Sequence, residues 1–363
     1  MLLTAGNLVH YLLDRGLASE TAVVRGDFRV VKLSRRNLTF HVTSGTGDGL
    51  VVKQVKTWRA ANIALFQAEA HWYWLARNSP VFAPLSPFFP RCLGYDSENQ
   101  ILLLGFPAGC EDLDRRCLHR AWRFPVETAQ LLGESLAAFH FGVAAPEIEA
   151  VKPGLAHRLP SVLSWPDLDE SAFDVSKGDA SKGALEVTRI VKNNDAFREA
   201  FGRLRKAWTR QTLINGDMKF AHCILNGQGM YFVDWESGDF GDPCWDTGAI
   251  FQEFLRAWLD SIPPGPGAAM ATRAANARVP LAEIQPAIRA FWRGYITRAA
   301  CNETEAAAML RRSVDYAAAW LAQTAFQQVQ DAPEITPRAV SLVQLGLNIL
   351  QQPAAAAHEL LGL

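Results

Sequence analysis

The chain has 363 residues, with 36 Lys and Arg against 37 Asp and Glu, a formal net charge of −1, and 49% apolar residues. That balance excludes a disordered chain, which is poorer in apolar residues and more strongly charged. It also excludes a nucleic-acid binder that works by bulk positive charge. No uncharged apolar run of about 18 residues is present, so no membrane span is expected. The first residues lack the basic start, apolar block and small-residue cleavage site of a secretory signal. Six scattered cysteines with no CxxC pair read as reduced thiols of a cytoplasmic protein. The spacing of His and Cys does not suit zinc.

Taken in chain order, residues 1–15 read as an amphipathic helix. Residues 23–31, 38–43 and 50–55 are short β-branched or apolar runs, expected as strands, with Gly-Thr-Gly-Asp-Gly turn chemistry at 45–49. Ile63, Phe66, Ala70 and Trp74 recur at helical spacing. A proline-rich connector at 84–90 leads to two further strands at 91–95 and 101–106. From about residue 125 the pattern is helical, over 127–141, 195–208, 247–259, 281–298, 303–330 and 338–350, interrupted by short apolar runs at 212–214 and 230–233. The polar stretch 167–183 reads as a surface loop or lid and 261–268 as a loop. Trp72, Trp74, Trp292 and Trp320 are expected in the core. A sheet-rich part followed by a larger helical part implies a cleft between them, where ligands bind.

The stretch 213–246 concentrates the chemistry. Asp217 follows one apolar run, and Asp234 ends another 17 positions later. Strands joined by a tight turn at 226–229 would bring both carboxylates to one mouth. Paired acids there suit general-base work beside a metal, or glycoside hydrolysis.

This stretch resembles the catalytic and metal loops of the aminoglycoside/choline phosphotransferase branch of the protein-kinase-like fold, which read HGDxxxxN, an apolar strand, a D-[WFY]-E-type motif and GDPxxD. The matching residues are Asn215-Gly-Asp217, His222, Asp234-Trp-Glu236 and Gly241-Asp-Pro-Cys-Trp-Asp246. Upstream, Lys53 resembles the lysine that grips nucleotide phosphates, Glu69 its helix partner, and 101–106 the hinge strand. The resemblance implies a bilobal α+β fold. Its β-rich nucleotide lobe spans 1–106 and its helical lobe 107–363, with a catalytic loop at 213–225, a metal loop at 230–246 and a hinge near 104–110. It implies ATP and Mg²⁺ as cofactors. Asp217 would accept the proton of an acceptor hydroxyl, and Lys219 would steady the transferring phosphoryl group. Asp234 would hold the metal together with His222. Ser34-Arg35-Arg36-Asn37 stands where the family has its glycine-rich phosphate loop, so any grip there falls to backbone amides and to Arg35 or Arg36.

Two positions depart from the family pattern: Asn215 replaces His, and His222 replaces the metal-binding Asn. Mg²⁺ prefers hard oxygen ligands over imidazole nitrogen. Three readings stay open: one metal suffices, Glu236 or Asp239 supplies the missing oxygen, or the chain is a pseudokinase that binds or scaffolds without turnover. Blander roles also stand beside these. Lys56 competes with Lys53, Arg35 and Arg36 read equally as surface charges, His222 as a local hydrogen-bonding residue, and Asp242 and Asp246 as a helix cap and a loop brace.

Arg256, Arg273, Arg278, Arg289, Arg293 and Arg298 leave the helical part without the acidic lining that a polycationic aminoglycoside needs. A looser resemblance runs to the kinase-like components of class V lanthipeptide and thioamitide pathways, carried by the helix at 3–16, Arg35-Arg36-Asn37, and Phe251-Gln-Glu-Phe before Ser261-Ile-Pro. It implies phosphorylation of Ser or Thr in a ribosomally made precursor peptide ahead of phosphate elimination, with that peptide and a lyase as partners. A small-molecule antibiotic or amino-alcohol kinase is the other alternative. Glycoside hydrolysis would leave Lys53 and Glu69 without purpose.

Overall fold

The computed structural model describes the whole chain apart from residues 34–36, 45–46, 120–122, 153–154, 156–157, 170, 172–180, 228 and 264–273, and the side chains of Ser44 and His119. Arg35, Arg36, part of the 45–49 turn, most of the expected lid and most of the 261–268 loop therefore lie outside the described residues.

Five antiparallel strands form the first part: β1 (Phe28–Lys32), β2 (Leu38–Ser44), β3 (Gly49–Gln54), β4 (Arg91–Asp96) and β5 (Ile101–Phe106), in the order β1-β2-β3-β5-β4. Side chains alternate across a strand, and β3 uses both faces. Leu50 and Val52 join Phe40, Val42, Ile101 and Leu103 in a cluster closed by Leu8, Tyr11 and Leu12 of helix α1 (Ala5–Asp14). The opposite face turns Lys53 toward α3 (Ala60–Asn78), whose Phe66, Glu69, Ala70, Trp72 and Tyr73 are buried. α1 is closed by a capping box at Thr4. Tyr11, Arg15 and Asn99 all hydrogen-bond Asp96 at the end of β4.

Residues 23–31 are not one strand. Ser19 caps a short helix, α2 (Glu20–Val24), by accepting from the Ala22 amide at 3.2 Å, and Gly26 at φ 76° turns the chain into β1. Trp74 is 54% exposed, so the buried stripe of α3 runs through Phe66, Ala70 and Tyr73 instead. Trp72, Trp292 and Trp320 are buried.

The helical part holds α4 (Val126–His140), α5 (Ala145–Val151), α6 (Lys182–Lys192), α7 (Asp195–Ala207), α8 (Pro243–Ser261), α9 (Leu281–Arg298), α10 (Glu303–Gln328) and α11 (Pro337–Gln351). α5 and α6 have no counterpart in the elements expected from sequence. α4 crosses α9 closely because both are glycine at the crossing. A Cβ on Gly133 would sit 2.1 Å from the Phe291 carbonyl oxygen, and one on Gly294 would sit 2.6 Å from that of Gln130. α8 is buried along most of its length and begins four residues earlier than its apolar periodicity suggests. Asp242 caps it by accepting from the Cys244 amide at 3.0 Å, and Pro243 follows as its first residue.

Short strands β6 (Glu111–Asp112), β7 (Thr212–Ile214), β8 (Cys223–Leu225), β9 (Met230–Phe232) and β10 (Asp239–Gly241) complete the fold. The run 212–214 does not pair with 230–232. β7 pairs with β10, and β9 pairs with β8 around the 226–229 turn. The tight turn therefore lies between β8 and β9, and the Asp217 loop connects β7 to that hairpin.

All six cysteines are free; four are buried, and Cys110 and Cys301 are half-buried. Among the described residues, no helix is long and apolar enough to cross a membrane.

Candidate active site

Lys53 comes from the middle of the sheet and Glu69 from α3. The Lys53 ammonium donates to both Glu69 oxygens, at 2.7 and 2.8 Å, and to Asp234 Oδ1 at 2.6 Å. Lys56, the competing lysine, is exposed. Asp234 directly follows Val233 after β9, in the left-handed region at φ 65° and ψ 58°. This conformation is costly for a non-glycine residue and marks functional turns. Its amide donates to the Tyr73 hydroxyl at 3.3 Å, one helical turn beyond Glu69 on α3.

Charge is unevenly shared in this cluster. Burial pushes the Glu69 carboxyl up to about 7 although Lys53 opposes the rise. Burial acts the same way on Asp234, yet Lys53 and then His222 outweigh it and hold that carboxyl well below the usual range. For Lys53, burial alone would weaken the charged form, and the Asp234 and Glu69 carboxylates more than reverse this. The lysine's charge thus leans toward Asp234.

Asp217 sits in a loop organised from beneath. Buried Asp246 accepts from the Asn215 amide at 2.7 Å, from the Gly216 amide at 3.1 Å, and faces His140 Nε2 at 3.3 Å. Asn215 accepts from the Asp217 amide at 3.2 Å and donates its side-chain amide to the Val233 carbonyl at 3.1 Å, tying the two loops together. Asn215 is therefore a structural hub in this chain. Gly216 has φ 77°, and a Cβ there would lie 2.6 Å from the Ser237 carbonyl oxygen. The Trp245 indole donates to the Gly216 carbonyl at 3.1 Å.

Asp217 Oδ1 is 2.8 Å from Lys219 Nζ. His222 bridges the loops, with Nδ1 2.8 Å from the Asp217 backbone carbonyl and Nε2 3.2 Å from Asp234 Oδ2. One donor atom each from Asp217, His222 and Asp234 lie within 4.8 Å of one another. Glu236 and Asp239 are not part of that convergence. They line a separate cavity of about 260 Å³ with Gly216 and Trp245, and Asp239 accepts from the Arg158 and Phe240 amides. Asn37 is half-buried just before β2.

Sequence reasoning passed over Tyr73, Glu253 and Arg256 as parts of this framework. Tyr73 lies four residues after Glu69, on the same helix face, which was a readable signal. Glu253 accepts from the Phe220 amide at 3.0 Å and is held by Arg256, which also pairs with Asp114 and Asp260. Such links join distant segments and leave no local pattern.

No protein-family model matches the chain, and no curated protein matches its sequence. Solved structures do match its shape. A glucosamine kinase in complex with glucosamine, ADP and inorganic phosphate has a TM-score of 0.56 at 15% identity, over 97% of this chain and 87% of that one. Choline kinase from Cryptosporidium parvum gives 0.56 at 11% identity, over 96% and 97% of the two chains. Plasmodium vivax ethanolamine kinase gives 0.55 at 10% identity, over 98% and 90%. The chain has a bilobal, kinase-like α+β fold. Within that kinase-like fold, Lys53, Glu69, Asp217, His222 and Asp234 meet where the sheet faces the β8–β9 hairpin.

Proposed function

We propose that the chain is a nucleotide-dependent phosphotransferase acting on a hydroxyl group, with ATP as donor and a divalent cation as cofactor. The observation that carries this reading is the convergence of Lys53, held by Glu69, with Asp217 and Asp234 on opposite loops. Phosphoryl transfer asks little covalent chemistry of a protein and much positioning and charge neutralisation, and these side chains supply both. Lys53 presents a fixed positive charge for nucleotide phosphates. Asp217 is the carboxylate available to orient an acceptor hydroxyl and take its proton, and Lys219 sets a second cation beside it. Asp234 and His222 would hold a divalent cation, which would neutralise phosphate charge. The carboxylates suit Mg²⁺; the His222 nitrogen beside them does not.

For the acceptor we favour a Ser or Thr side chain of a ribosomally made precursor peptide, ahead of phosphate elimination by a partner lyase. The lysine two positions past Asp217 and the sequence cues in the N-terminal helix support this. The fold neighbours named for glucosamine, choline and ethanolamine favour a small hydroxylated acceptor as the second reading. The replacements at positions 215 and 222 favour the third, a binding subunit without turnover.

Labelled phosphate transfer from ATP separates them. Incubation with Ser/Thr peptides and with amino sugars and amino alcohols should label one class, and Asp217→Ala should lower the rate by at least about 100-fold. Nucleotide binding with no labelled acceptor under any divalent cation would sink the enzyme reading and leave the binding subunit.

A further inference from the structure

We infer, resting on the reading of this cleft as a divalent-cation site, that its mixed oxygen and nitrogen donor set selects a first-row transition cation such as Mn²⁺ over Mg²⁺. The geometry of His222 carries this. Nδ1 lies 2.8 Å from the backbone carbonyl oxygen of Asp217, an atom that only accepts, so Nδ1 bears the hydrogen. Nε2 is then the nitrogen left to face Asp234, 3.2 Å from Oδ2, where it donates a hydrogen when the imidazole is charged and offers its lone pair to a cation that takes that hydrogen's place. Two lone-pair donors at that separation repel each other unless a proton or a cation sits between them. The backbone bond to Nδ1 is the kind of outer contact that fixes the tautomer and orientation of a metal-ligating histidine.

The donor set itself sets the preference. Asp234 offers a carboxylate oxygen beside the imidazole donor, and a carboxylate oxygen of Asp217 lies within 4.8 Å of both. Mg²⁺ demands near-octahedral oxygen coordination and sheds water reluctantly, whereas affinity for nitrogen donors rises along the series from Mn²⁺ toward Cu²⁺. Glu236 and Asp239, the acids that would restore an all-oxygen set, face a different cavity. Both halves of His222 are thus engaged, one by the loop that carries Asp217 and the other by the residue that follows β9.

The test uses the nucleotide-free full chain. Mn²⁺ and Mg²⁺ are titrated separately by calorimetry, and the Mn²⁺ form is examined by pulsed electron paramagnetic resonance. Wild type should bind Mn²⁺ at least about 10-fold more tightly than Mg²⁺ and show nitrogen modulation from a coordinated imidazole. His222→Asn should keep Mn²⁺ binding, lose the nitrogen modulation and narrow the Mn²⁺-to-Mg²⁺ ratio by about 10-fold. Asp234→Ala should abolish binding of both ions. Absence of Mn²⁺ binding, absence of nitrogen modulation in wild type, or a metal ratio unchanged by His222→Asn overturns the inference. No step uses nucleotide or acceptor, so failure of phosphate transfer alongside these metal results would count against the enzymatic reading alone.

Discussion

Asp246 has no accessible surface, yet both backbone amides ahead of Asp217 depend on it. Replacing it with Ala leaves two amides and a histidine nitrogen buried without acceptors, and loss of one partner from a buried charged network costs about 3–5 kcal/mol. Asp246→Ala should therefore lower the urea midpoint by that equivalent. Asp246→Asn, with a single acceptor oxygen, should fall between it and wild type. Equal midpoints for wild type and Asp246→Ala would refute the bracing role. At this scale the sequence was informative where chemistry is local. Asp217 and Asp234 sit in short loops, Asp242 caps α8 and Asp246 lies in its first turn, and the motif spacing among them reflects local backbone geometry, so their neighbourhoods were readable. The Asn215 bond to Val233 was not, because it spans two loops whose approach is set by the whole fold, and the meeting of His222 with Asp234 was expected only through the family resemblance.

At the scale of elements, α1 is fastened to the sheet by its apolar face and by one carboxylate. Asp96 accepts from Tyr11 at 3.1 Å, from Arg15 at 2.6 Å and from the Asn99 amide at 3.0 Å. Burial opposes its charge, but the Asn99, Tyr11 and Arg15 donors outweigh that and hold the carboxyl below its ordinary value. A depressed carboxyl stabilises the fold above its unfolded value of about 3.9 and loses that contribution as the pH falls toward the folded value. Wild type should thus lose stability on acidification below about pH 4, and Asp96→Asn should lose part of that acid limb. Parallel pH profiles for the two proteins would contradict the assignment. The sheet was legible because β2 alternates Leu38, Phe40 and Val42 with polar residues, while β3 and β5 carry the apolar runs 50–52 and 101–104. The expected strand at 23–31 takes in the end of α2 because Val23 and Val24 are β-branched and the Ser19 cap lies outside that run. α6 was missed because its Lys, Glu and Arg residues hide an apolar stripe through Leu185, Val187 and Val191.

Across the whole molecule, one hydrophobic cluster runs from Leu102 and Leu104 of the sheet through Phe66 and Tyr73 of α3 into Phe139, Trp235 and the core helices. The two parts are packed together, and a ligand bridging Lys53 and the Asp217 loop stabilises both. At ATP and metal concentrations about 100 times their dissociation constants, that amounts to about 2.7 kcal/mol, or a melting shift on the order of a few degrees. The shift should vanish in Lys53→Met. An unchanged melting point for wild type at millimolar ATP with Mn²⁺ would argue strongly against nucleotide binding. The bilobal order was readable because each part has its own periodicity. The swap of partners between β7 and β9 was not, since three-residue strands carry no register signal.

The free cysteines give the chain an internal clock of its own opening. Burial raises the thiols of Cys92, Cys110, Cys117, Cys223, Cys244 and Cys301 above their ordinary value, Cys117 to about 12, so little reactive thiolate exists while the fold is closed. A thiol-directed reagent with mass-spectrometric readout should label half-buried Cys110 and Cys301 first. Cys92 would then report detachment of the sheet edge, and Cys223 and Cys244 the loosening of the hairpin and of α8 beneath the site. Labelling of Cys223 as fast as that of Cys301 would mean that the hairpin beside Asp234 breathes independently of the core.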